Sequence, residues 1–183
     1  MLAGVILDRE TLGDDLDFTR LDECCDWNSY PSTRPEQVAE RLKGAAVVVT
    51  NKVVIDRHIL EQCDSLKLIA IAATGTNNVD LLAAQEHGVA VTNVQGYAGP
   101  SVAQYVMASL LTLSHRLLDY QAATASGRWQ TAPHFCMLDY PITQLEGKKL
   151  GIVGYGDLGQ AVAARAECFG MQVLLAERPG SMT

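Results

Sequence analysis

The stretch Lys148-Lys149-Leu150-Gly151-Ile152-Val153-Gly154-Tyr155-Gly156-Asp157-Leu158-Gly159 constrains this chain more than any other. Leu150, Ile152 and Val153 predict a short buried strand, and Gly154, Gly156 and Gly159 follow it at G-x-G-x-x-G spacing. The stretch ends in the start of a helix, which residues 160–169 continue as an alanine-rich run that Gly170 can end in a left-handed conformation. In such a turn the first glycine permits the sharp bend and the second lets backbone approach a pyrophosphate. The third lets helix and strand pack closely. A diphosphate can bind there on the unpaired N–H groups and positive dipole end of the helix. The spacing alone also occurs in unrelated glycine turns. Here a second apolar strand, 171–176, ends in Glu177, 21 positions beyond Gly156. That matches the offset of about 20 residues expected of a carboxylate that binds the adenosine ribose hydroxyls. Dinucleotide binding follows as the expectation. The charge of Glu177 disfavours a 2′-phosphate and so favours NAD over NADP, although Arg178 beside it is the residue type that accepts that phosphate.

Upstream, apolar runs alternate with helical segments. Strands are expected at 3–7, 45–50, 66–73 and 89–94. Helices are expected at 35–43, 56–63 and 79–87, with Gly44 and Gly88 as stops for the first and last. Residues 9–34 read as polar and irregular, with Trp27 and Tyr30 in a short strand. This alternation indicates βαβ units and a parallel sheet. From Pro100 to about Ser126 the apolar residues Val102, Val106, Leu110, Leu113 and Leu117 recur every three or four positions. That predicts one helix of about 25 residues, roughly 37 Å long, bridging two lobes. A loop-rich segment, 127–147, carries Trp129, Phe135 and Tyr140 and leads into the glycine turn.

Composition excludes several classes of function. A net charge of −7 argues against a nucleic-acid or anionic-membrane surface. No apolar run reaches the roughly 18 residues of a membrane span, and Asp8, Arg9 and Glu10 interrupt any signal-like apolar core, so a cytoplasmic location is expected. Cys24, Cys25, Cys63, Cys136 and Cys168 make an odd total without C-x-x-C spacing, which points to buried or half-buried reduced thiols rather than a metal or disulfide framework.

Several segments together resemble one family: 73–80 (Ala-Thr-Gly-Thr-Asn-Asn-Val-Asp), Val91-Thr92-Asn93, Ser101-Val102-Ala103-Gln104, Gly127-Arg128-Trp129 and the glycine turn. They are similar to the D-isomer-specific 2-hydroxyacid dehydrogenases. Phe135-Cys136-Met137-Leu138-Asp139-Tyr140-Pro141 resembles the glycerate dehydrogenase (hydroxypyruvate reductase) branch. The resemblance implies an α/β architecture: a flavodoxin-like substrate lobe, residues 1–99, joined through the long helix to the start of a Rossmann lobe, residues 100–183, that is incomplete here. It implies that the amides of Thr74 and Gly75 hold the substrate carboxylate, that the backbone of Asp157 and Leu158 meets the pyrophosphate, and that Glu177 is the ribose acid. It also implies a small 2-hydroxy or 2-keto acid substrate and a homodimer.

Asn51 and Lys52 lie at a strand tip that could face the same cleft, although a solvated loop explains them as well. The family's arginine, glutamate and general-acid histidine fall downstream of the ribose acid, and His58, His87, His115 and His134 match none of them. His87 has a structural reason before a helix-ending glycine, and His115 is expected mid-helix. No catalytic residue and no metal ligand is therefore assigned. Two readings follow: part of an NAD-dependent oxidoreductase, inactive without the downstream residues, or a non-catalytic NAD-responsive interaction module of the corepressor type.

Overall fold

The structure, a computed structural model, describes residues 1–176. Two compact units make up the protein, Met1–Gln95 and Gly96–Thr183. In the first, β1 (Leu2–Ile6) is followed by a 3-10 turn, the short helix α1 (Thr19–Asp22) and β2 (Cys25–Ser29). A 3-10 turn at Pro35–Gln37 leads into α2 (Val38–Leu42), then β3 (Val47–Thr50), α3 (Arg57–Leu60), β4 (Leu68–Ile71), α4 (Leu81–Glu86) and β5 (Ala90–Asn93). All five strands are parallel, in the order β2-β1-β3-β4-β5. That is the flavodoxin-like order, with its reversal between β1 and β3.

β3, β4 and β5 are shorter than the apolar runs that predict them, because the run ends belong to the connections. Asp56 and Asp80 set the helix starts: their carboxylates accept from the amides of Ile59 (3.0 Å) and Ala83 (2.9 Å). The core lies between sheet and helices, where Leu7, Leu42, Val48, Ile55 and Ile69 are fully buried. Burying each such side chain stabilises the unit by about 1.5–3 kcal/mol.

The second unit contains α5 (Gly99–Ser114), α6 (Leu117–Ala125), β6 (Lys149–Val153), α7 (Asp157–Cys168) and β7 (Gln172–Ala176). β6 and β7 pair in parallel, Lys149 opposite Gln172 through Val153 opposite Ala176. The expected single long helix is two helices. Arg116 takes left-handed angles (φ 51°, ψ 40°), and the Ser114 carbonyl accepts the Thr143 amide at 2.8 Å instead of a helical N–H. His115 accordingly caps α5 and does not sit mid-helix. α5 packs against α7. A Cβ on its Gly99 would lie 3.6 Å from Ala161 of α7, and its Met107 shares a small core with Leu145, Ala166 and Met171.

The loop after α6 is tied back through Tyr120, whose hydroxyl lies 2.8 Å from the Tyr140 carbonyl, and through the Arg128–Asp139 ion pair. The cysteine expectation needs correction as well. Cys25 on β2 and Cys63 in the first unit's core are buried, but Cys24, Cys136 and Cys168 are exposed. Among the described residues no helix is long and apolar enough to cross a membrane.

Candidate functional sites

The first site is the turn beyond β4. The parallel ladder runs one step past the strand, with the Ala72 amide donating to Thr50 O at 2.8 Å. The turn is then fastened to the end of β5. The Val94 amide donates to Ala73 O (3.0 Å), the Thr74 hydroxyl to Val94 O (2.8 Å), and Asn93 Nδ2 to Thr74 O (2.8 Å). The hydroxyl and carbonyl of Thr74 are thus engaged. Among the described residues, the N–H groups of Thr74 and Gly75 reach no acceptor, and both residues are exposed. Two fixed, free amides at a strand end can bind a carboxylate. A side chain at Gly75 would press on Asn77, since its Cβ would lie 3.1 Å from Oδ1.

Asn51 and Lys52 follow β3, the neighbour of β4. The loop is solvated at Lys52 and Val54, yet its backbone is held. The amides of Asn51 and Lys52 donate to the carboxylate of Asp8, at 3.0 Å and 2.6 Å, and Asn51 Nδ2 donates to Thr11 O at 3.0 Å. Asp8 is 2% exposed. In the sequence it stands out only as one of three charged residues, Asp8, Arg9 and Glu10, that interrupt an apolar run. The signal was an acid directly after an apolar run, and its meaning depends on β3 lying beside β1.

The second site is the glycine turn. Gly154 has φ +92°, which a side chain rarely permits, and α7 begins at Asp157 with Gly156 as its N-cap. The helix thus starts within the glycine-rich stretch, which puts Asp157, Leu158 and Gly159 in its first turn. No side chain caps that end, and the first helical bond runs from Gln160 N to Gly156 O at 2.9 Å. Among the described residues the amides of Asp157 and Leu158 have no protein acceptor. A Cβ at Gly156 would meet nothing within 4 Å, whereas one at Gly159 would lie 2.2 Å from the carbonyl oxygen of Gly154. Gly159 is thus required by the fold itself, and Gly156 leaves open space over exposed helix N–H groups. That combination fits a pyrophosphate. Glu177, the expected ribose acid, and Arg178 lie outside the described residues.

Neither turn contains a histidine. His87 Nδ1 is 2.8 Å from the Ala83 carbonyl within its own helix end, His115 caps α5, His58 lies on α3, and His134 is in the loop after α6.

The catalytic-domain model of the D-isomer specific 2-hydroxyacid dehydrogenases matches residues 7–172. The chain is 41% identical over 171 residues to a glycerate dehydrogenase of Methylorubrum extorquens, covering 93% of this chain and 54% of that protein. It is 37% identical over 174 residues to a hydroxypyruvate reductase of Blautia hydrogenotrophica, again covering 93% and 54%. The fold is similar to that of an acyclic imino acid reductase solved with NADPH and D-Arg. There the TM-score is 0.81 at 20% identity, covering 100% of this chain and 58% of the other. The chain thus spans about half the length of the curated relatives it matches. With the match running through both turns, the chain belongs to the D-isomer specific 2-hydroxyacid dehydrogenases.

Proposed function

We propose that this chain carries two binding elements of an NAD-dependent oxidoreductase that reduces hydroxypyruvate or glyoxylate and oxidises D-glycerate. Residues 1–99 form the substrate lobe and residues 100–183 the linker helices and the first part of the cofactor lobe. The observation that carries the reading is the pair of exposed turns whose amides have no protein partner among the described residues, Thr74 with Gly75 and Asp157 with Leu158.

In this reading Thr74 and Gly75 hold the substrate carboxylate and so fix the carbon that gains or loses hydride. Gly154, Gly156, Asp157, Leu158 and Gly159 hold the pyrophosphate, and Glu177 the ribose diol, which favours NAD. The nicotinamide dinucleotide supplies or takes up the hydride when bound. None of the four histidines matches the family's general-acid position, so these 183 residues alone should not reduce hydroxypyruvate with NADH above background. General acid catalysis alone contributes about 10²–10⁴-fold. A homodimer is proposed from the exposed apolar residues Phe135 (92%) and Leu138 (85%). A cytoplasmic location without nucleic-acid or membrane partners accords with the net charge of −7.

Calorimetric titration tests the cofactor reading. The protein should bind NADH saturably and more tightly than NADPH, and Gly156→Val should abolish binding more completely than Gly156→Ala. Equal affinity of both variants and the unaltered protein for NADH would remove the turn from the site.

A further inference from the structure

One buried carboxylate takes no part in that reading. Asp8 follows β1 at the reversal of strand order, where the carboxyl ends of the strands leave a crevice in sheets of this kind. Its oxygens accept three consecutive amides of the loop after β3: Asn51 (3.0 Å), Lys52 (2.6 Å) and Val53 (3.2 Å). The Thr50 hydroxyl adds a longer contact at 3.4 Å. A buried charge is stable only when so surrounded, and successive N–H groups curled around one oxygen form a concave anion nest. Here the anion is part of the protein.

What the nest holds still is the substrate turn. The loop gripped by Asp8 meets that turn at both ends. Thr50 O accepts the Ala72 amide (2.8 Å) just before Thr74 and Gly75. Just after them, Val53 O accepts from Asn78 Nδ2 (3.1 Å), and the Ile55 amide donates to Asn78 O (2.8 Å). Thr50 is fully buried and Asn78 is 8% exposed, so water does not substitute freely in these bonds. A hydrogen-bonded path therefore runs from Asp8 through residues 50–55 to both flanks of residues 73–77. We infer that Asp8 is a positioning residue for acid binding, setting the direction of the Thr74 and Gly75 amides through the loop after β3. The inference rests on the assignment of those amides to the substrate carboxylate.

Amide NMR of the whole protein, with D-glycerate as the probe, tests it. D-glycerate should shift the Thr74 and Gly75 resonances of the unaltered protein saturably. Asp8→Ala leaves the part-buried Asn51 and Lys52 amides without their acceptor, while the Val53 amide keeps the Thr50 hydroxyl at 3.1 Å, and should weaken that binding by about tenfold or more. It should also speed hydrogen exchange at Ala72 and Ile55, while NADH shifts at the glycine turn stay the same. Asp8→Asn keeps one carbonyl oxygen in the nest and should fall between the two. It is also the variant that decides the matter if Asp8→Ala loses its fold. Wild-type affinity and wild-type exchange in Asp8→Asn would overturn the inference. Absence of any D-glycerate shift in the unaltered protein would instead sink the substrate assignment, and faster exchange at Ala72 and Ile55 in Asp8→Asn would then decide the positioning role alone.

Discussion

The two sheets are built from similar apolar runs and end up differently buried. In the first unit Val48, Ile69 and Ile71 are at most 2% exposed, because β3 and β4 each have a strand on either side. In the second, β6 has β7 as its one partner among the described residues; Val153, Leu174 and Leu175 are 77%, 50% and 52% exposed, and Ile152 alone of β6 is buried. A strand's composition therefore states that it needs cover, and its neighbours decide whether it has any. The same contrast divides the two candidate sites. The Thr74 turn is braced on both flanks by buried hydrogen bonds, whereas the glycine turn stands at the end of a half-covered strand, with the Gly154 carbonyl lying where a side chain on Gly159 would fall.

The largest expected difference between the units is in core truncation. Ile69→Ala should destabilise the first unit by about 2–5 kcal/mol, while Leu175→Ala in the second should stay within about 0.5 kcal/mol. Urea unfolding followed by residue-resolved exchange reads both, and equal losses would break the comparison. Next comes Gly159→Ala, which must displace the Gly154 carbonyl and should cost about 1–3 kcal/mol without any ligand. Gly156→Ala meets open space and should leave the ligand-free melting curve nearly unchanged.

The exposed strand predicts a third effect. Unpaired edges with apolar side chains invite pairing with other chains, so the protein should self-associate with rising concentration, and Val153→Lys should reduce that association in light scattering. A monodisperse monomer at high concentration would show the edge to be harmless.

The smallest effect belongs to the first unit's surface. The Arg57 guanidinium, 2.6 Å from Glu86, holds that carboxyl below its ordinary range through a side-chain hydrogen bond and charge attraction. The folded state therefore gains from the pair above the ordinary glutamate range, and the gain disappears as pH falls through the lowered value. Glu86→Gln should flatten only that acidic limb of the stability curve, and a variant with the original acid limb would leave the pair without a role.

Much of this was legible in the sequence. The alternation of 45–50, 66–73 and 89–94 with helical segments led to the parallel sheet, and Gly154, Gly156 and Gly159 led to the turn. The break at Arg116 was not, since the apolar spacing from Val102 to Leu117 continues straight through it. The interruption comes from Thr143, 29 positions beyond Ser114 in the sequence. Asp8 was missed for the same kind of reason: its partners at 51–53 become neighbours only once β3 lies beside β1. Local patterns report periodicity and turns, whereas bonds between distant segments need the topology first.

The most direct test of the functional account is an amide NMR titration of the 183-residue protein with NADH. The account predicts saturable shifts led by Gly156, Asp157 and Leu158, with Thr74 and Gly75 unmoved until D-glycerate is added. Saturable NADH binding that leaves those three resonances in place would contradict it.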